Sequence, residues 1–210
     1  MIDKSTTGVN DTEMRILSAA EAEFTNKGFA GARTTTIAEA AGVTHAMLHY
    51  YFRTKEKLFE RIVSEKAGAL KEIVLMSMQD IDLPFEDFLK KLISSHLDFV
   101  SSNPELPRLL ISEVYTNSKR SKFFIEQVNN MAPVLIAGLQ KKIDEAVAQG
   151  SCRPTDARTL MLDIVSLNIF PFIVTPVIKQ AFGDYMDNGT EFLERRKADN
   201  FNAVMAMLRP

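Results

Sequence analysis

His45 and His49 stand four residues apart, with Ala46 and Tyr50 offset beside them, so on a helix they make two adjacent rows of one face. Imidazoles donate, accept or take up a proton near neutral pH. A histidine pair at this spacing can clasp a divalent metal, but that needs further ligands, and no cysteine or carboxylate shares the row. Metal binding is therefore not expected. Around the pair stand the hydroxyls of Thr34, Thr35, Thr36 and Thr44, the phenols of Tyr50 and Tyr51, and the cations Arg33 and Lys55. Groups of this kind hydrogen-bond phosphates, while His45, Ala46, Met47 and His49 are of a size and polarity to meet base edges.

Such a face needs a scaffold, and the flanking residues supply one. Thr34 to Ala41 read as a short helix whose leading hydroxyls can accept from free backbone N–H groups, ending at Gly42, where a left-handed residue costs little. Val43 would plug the corner, and Thr44 would cap a second short helix whose opposite row, Leu48 and Phe52, is buried. A preceding helix from about Asp11 to Lys27 carries Ile16, Leu17, Ala20 and Phe24 on one stripe and stops at Gly28. This is a helix-turn-helix with its brace, so the chain is expected to read double-stranded DNA.

The string Ile37-Ala38-Glu39-Ala40-Ala41-Gly42-Val43-Thr44, then Leu48, then Tyr51-Phe52-Arg53-Thr54-Lys55-Glu56-Lys57-Leu58, resembles the signature of the TetR family of ligand-responsive transcriptional repressors. The resemblance covers roughly residues 11 to 61 and departs from the family's habit at His49, where Tyr is usual, and at Arg33. It implies an all-α homodimer on a palindromic operator. A three-helix DNA-binding domain over residues 1–55 would be followed by a larger effector-binding and dimerisation domain over 56–210, about nine helices in all.

Composition fits a globular regulator. Net charge is −2, yet between Lys27 and Lys57 five cations face two carboxylates, so the basic excess is local. Cys152 is the only cysteine, which excludes an internal disulfide and fits a reducing, cytoplasmic compartment; it reads as an ordinary loop thiol beside Gly150. Met1 to Asn10 carry no apolar segment of the secretory kind. Leu160 to Ile178, the most apolar stretch, is interrupted by Asp163, Asn168, Pro171 and Pro176 and reads as core, not as a membrane span.

Downstream, a helix from Lys55 toward Met78 links the reader to the rest. Further helices are expected after Pro84, over Pro107 to Tyr115, over Lys122 to Gln149 with a kink or split at Pro133, after a cap at Thr155 or Asp156, and from Thr190 to Leu208. The last two carry the apolar excess from which a dimer would be built. Aromatic residues and methionines with scattered polar groups suit a largely apolar small-molecule pocket, for which His96, Phe99, Glu113, Tyr115, Met131, Asn168 and Phe172 are the candidates. Asn129, Asn130 and Asp163 share that apolar context. Two other readings remain open: a C-terminal domain that only dimerises or binds a protein, and an enzyme built on His96, Glu113 and Asp163. No nucleophile, phosphate-loop or metal motif supports the latter, and no cofactor is expected.

Overall fold

Gly28 adopts φ 65° and ψ 172° inside the first helical stretch, which is the break the sequence places there. The computed structural model describes residues 4–79 and 83–210. Helix α1 (Lys4–Gly31) bends at this glycine before α2 (Thr34–Ala40) and α3 (His45–Phe52) form the motif. Gly42, at φ 64°, turns the chain between them, and Val43 N–H closes the end of α2 on the carbonyl of Ala38 at 3.0 Å. Thr44 Oγ1 accepts from Met47 N–H at 3.1 Å, the expected cap.

One local expectation fails. The threonines do not cap α2: its N-cap is Arg33, extended and without a side-chain cap bond. The Glu23 carboxylate accepts from Arg33 N–H at 3.2 Å instead, while Lys27 and this amide together hold that carboxyl below its ordinary value. A partner ten residues upstream has displaced a local one, which no window of sequence reveals.

Helix α4 (Lys55–Gln79) starts the rest: α5 (Phe85–Ser102), α6 (Leu106–Thr116), α7 (Ser118–Ala148), α8 (Ala157–Ile173), α9 (Thr175–Phe182), a 3₁₀ turn (Gly183–Met186) and α10 (Gly189–Leu208). The chain is all-α, with no strand among the described residues and ten α-helices where about nine were expected. The additional helix is α9, which Pro176 helps to start. Pro133 does not split α7, which runs through it as one helix.

Two compact units emerge. One runs to Ala67 and takes in Leu109–Phe124; the other comprises Gly68–Arg108 and Ile125–Pro210. This differs from a boundary at residue 55, because Leu58, Phe59, Ile62 and Val63 of α4 are buried in the first core with Ile16, Ile37 and Leu48. Phe24, Phe29 and Phe59 pack there with centroids 5.3 to 5.6 Å apart. In the second unit α5 packs against α8 and α10. Along α8, Leu160, Ile164, Asn168 and Phe172 recur every fourth residue and face inward. Cys152 sits in the loop between α7 and α8, as expected, but its side chain is buried in this core, and burial raises its thiol above the ordinary value. No single described helix is long and apolar enough to cross a membrane, and α8 meets the α9 segment at a 71° bend.

Candidate DNA interface and the second unit

Leu48, fully buried, and Phe52 anchor α3 to the core, and their spacing fixes which side of the helix meets solvent. Thr44, His45, Ala46, Met47, His49 and Tyr50 are all exposed, Tyr50 by 83%. The rows predicted from four-residue spacing are therefore the exposed ones. Tyr51 is half-buried against the core, Arg33 and Thr35 are exposed, and Thr34 and Thr36 are half-buried.

The histidines are not idle in the free protein. His45 Nε2 lies 3.0 Å from Thr34 Oγ1, which ties the start of α2 to the start of α3, and the two rings meet edge to face at 4.5 Å. His49 Nδ1 lies 2.9 Å from the carbonyl oxygen of Arg53. A carbonyl only accepts, so Nδ1 carries the proton and a neutral His49 keeps Nε2 as an acceptor. In a major groove that nitrogen complements the amino groups of adenine or cytosine; once protonated it donates, and suits a phosphate or guanine.

Lys55, expected at a phosphate, has a structural duty as well. Its ammonium donates to the carbonyls of Phe29 at 2.8 Å and Ala32 at 2.9 Å and sits 4.6 Å above the Phe29 ring. Two of its three hydrogens thus satisfy carbonyls at the end of α1, leaving one for a backbone phosphate.

The seven effector candidates are not brought together. Glu113 and Tyr115 belong to the first unit, where Glu113 is buried against Arg120 and Tyr115 is 85% exposed. The others lie in the second unit but in different settings. Met131 packs on its main core, while Phe99 and Phe172 join Leu97 and Val100 in a smaller cluster. His96 and Asn168 do meet, in a buried network. The Asn168 amide nitrogen donates to Ile93 O at 3.0 Å and lies 2.9 Å from His96 Nδ1, and its oxygen accepts from Asn200 Nδ2 at 2.7 Å. Both amide hydrogens are spent, so His96 Nδ1 is the acceptor and the ring neutral; burial pushes its pKa down to about 4.

A cavity of about 460 Å³ opens elsewhere, between α8, α9, the 3₁₀ turn and α10, with Leu167, Phe170, Pro171, Ile178, Phe182 and Phe192 in its walls. None of the seven candidates lines it. Arg196, which does, and Asn200 were missed because they look like members of a polar helix face. Their signal was spacing: Phe192, Arg196, Asn200, Val204 and Leu208 recur every fourth residue, placing both on the inward stripe.

Two family models match the chain. Residues 16–62 match "Bacterial regulatory proteins, tetR family", and residues 86–204 match "Tetracyclin repressor-like, C-terminal domain". The transcriptional regulator RutR of Escherichia coli is 28% identical over 166 residues, 77% of this chain and 74% of its own. The transcriptional repressor SCO4008 of Streptomyces coelicolor is 35% identical over 102 residues, 49% of either chain. Among solved structures, the regulator FadR of Bacillus subtilis in complex with stearoyl-CoA superposes with TM-score 0.70 at 18% identity, covering 91% of this chain and 97% of its own. At that identity the likeness speaks for the fold.

Proposed function

The chain belongs to the TetR family of bacterial regulatory proteins, and from that premise we propose that it is a homodimeric repressor, released from a palindromic operator by a small, largely apolar effector. The observation that carries the reading is α3: a helix pinned by Leu48 and Phe52 that exposes His45, Ala46, Met47, His49 and Tyr50 as one surface. In the duplex this surface enters the major groove, with Arg33, the threonines, Tyr51 and Lys55 against phosphates. One such helix reads too few base pairs to mark a unique site, so two copies act together, their helices about 34 to 36 Å apart or a multiple of it. Leu162, 66% exposed on the side of α8 opposite its buried row, offers the second copy an apolar contact, together with α10. Effector binding is supported by the apolar cavity of the second unit and by a structural neighbour that holds stearoyl-CoA. The effector acts by its difference in affinity between DNA-competent and DNA-incompetent arrangements of the dimer. Such a regulator works in the cytoplasm, as a binding protein and not an enzyme.

Selection of bound duplexes from a random pool tests this directly. The expected result is a palindrome whose half-sites are one helical turn apart or a multiple, bound by a dimer in light scattering. A non-palindromic consensus bound by a monomer rejects the reading. The reading without an effector draws on one observation, the His96–Asn168–Asn200 network, in which His96 Nδ1 and the whole Asn168 amide are bonded within the fold. A small-molecule thermal-shift screen with no responder would favour it.

A further inference from the structure

We propose that the cavity between α8, α9 and α10 binds a small amphiphile with a carboxylate head and an apolar tail, its head held by Arg196. The proposal deepens the reading of the second unit as an effector-binding body and names the site and the chemical class. Arg196 lies on the inward stripe of α10, where its Nη2 donates to the Leu167 carbonyl at 3.1 Å. Its Nε–H is buried and meets no acceptor among the described residues. An unpaired buried donor on a permanently charged guanidinium is costly, and a carboxylate relieves it by taking two parallel N–H bonds from one edge of the group.

The surroundings select the rest of the ligand. Apart from Arg196, the polar side chains of the cavity are Ser166 and Tyr185, and no lining residue is acidic. One cation among aromatic and aliphatic walls complements one negative charge followed by apolar surface. A second copy pressing an apolar face on the opening would leave Nε–H as unsatisfied as before. One wall is built in advance. Arg195 donates to the Tyr185 carbonyl at 3.1 Å and lies 4.4 Å above its ring, while Tyr185 meets Phe192 edge-on at 5.7 Å. The opposite wall is looser: α9 buries no residue, exposes Val177 and Phe182, and ends at Gly183 with φ 60°, a conformation glycine tolerates best.

Calorimetric titration of the full chain with decanoate and with 1-decanol, of equal tail length, tests the assignment. Decanoate is expected to bind the wild type, and Arg196→Met to weaken it about tenfold or more, as loss of a charge-assisted pair does. Decanol is expected to bind less tightly and to change little in that variant. Phe182→Glu, at a 65% exposed position that the fold does not need, places a carboxylate in the wall and is expected to weaken decanoate likewise; it decides the matter if Arg196→Met fails to fold. The proposal is overturned by decanoate binding that neither variant affects, by equal binding of acid and alcohol, or by no binding at millimolar decanoate. It is overturned too if Arg196→Met merely converts dimer to monomer in light scattering, since the opening is then an interface between copies. Operator anisotropy separates the two readings. Arg196-dependent decanoate binding without operator release keeps the site and rejects decanoate as the effector class. Release by another screened compound, undiminished in Arg196→Met, keeps the effector reading and rejects this site.

Discussion

The chain has three histidines, and its two units treat them in opposite ways. His45 and His49 lie exposed on α3, each held by one neighbouring oxygen, whereas His96 is buried between α5 and α8 and locked by Asn168. An exposed ring loses little on mutation and keeps hydrogen-bonding capacity for a partner. A buried ring whose Nδ1 is bonded within the core is neutral and contributes to stability. The imidazoles of the first unit are thus displayed, and the one in the second is drawn into the core.

The comparison breaks most visibly at Asn168. Asn168→Leu leaves the Ile93 carbonyl, His96 Nδ1 and Asn200 Nδ2 without their partner, at about 1 kcal/mol each or more, so a loss of about 3 kcal/mol is expected. For a chain of this length that lowers Tm by about 10 °C. His45→Ala should leave Tm nearly unchanged, within about 0.5 kcal/mol, while weakening operator binding. Melts and anisotropy on both variants check the contrast. Equal loss of Tm in the two would erase the distinction between the units.

His96 gives the same comparison a pH axis. Its folded pKa, about 4, lies below the ordinary 6.5, so as pH falls the unfolded chain takes up the proton first. The contribution is full above pH about 6.5 and is lost as pH falls toward 4. Between pH 7 and pH 5 the expected loss is about 2 kcal/mol. Urea denaturation at the two pH values should show it, and His96→Gln should remove most of it. A variant that keeps the whole pH dependence would assign the effect to carboxylates instead.

Lys55 and Lys57 sharpen the picture within the first unit. Lys57 is exposed and pairs with Glu60 on the surface, so Lys57→Ala should cost under about 0.5 kcal/mol. Lys55→Ala strips two carbonyls of a charged donor and should cost about 2 kcal/mol. Its remaining hydrogen should also register on DNA: the salt slope of operator binding is expected to fall by about one. A slope that stays put would confine Lys55 to its structural duty.

How much of this was readable in the chain follows from the range of the interactions involved. The motif was legible because it is local: Gly42, the Thr44 cap and the Leu48–Phe52 row act within ten residues of one another. The exposed rows of α3 followed from periodicity alone. What failed was long-range. The Glu23 partner of Arg33, the Lys55 bonds to the end of α1 and the assignment of Glu113 to the first unit depend on which helices meet. Asn168 could be named as polar in an apolar context, but its partner Asn200, 32 residues on, could not be paired with it from spacing. The cavity was invisible for the same reason, since its walls come from three helices and a turn.

The smallest expected effect is the most specific to this sequence. His49 donates Nδ1–H to Arg53 O, so protonation must occur at Nε2 and turn an acceptor into a charged donor. Against a polyanion the charged ring gains attraction that the neutral ring lacks, and imidazole is the side-chain type that titrates near neutrality. Operator affinity is therefore expected to rise several-fold as pH falls from about 8 to about 6. His49→Tyr supplies a phenol, whose ordinary titration lies near pH 10, and should flatten the dependence without loss of fold because the position is exposed. His45 shares the surface, so any slope that survives in His49→Tyr belongs to it, and the double variant should abolish that remainder. If His49 instead reads a base as a neutral acceptor, the wild-type curve is flat and the variant changes the preferred half-site. Anisotropy across this pH range at one ionic strength separates the two, and parallel curves for wild type and His49→Tyr would remove His49 as the proton-linked contact.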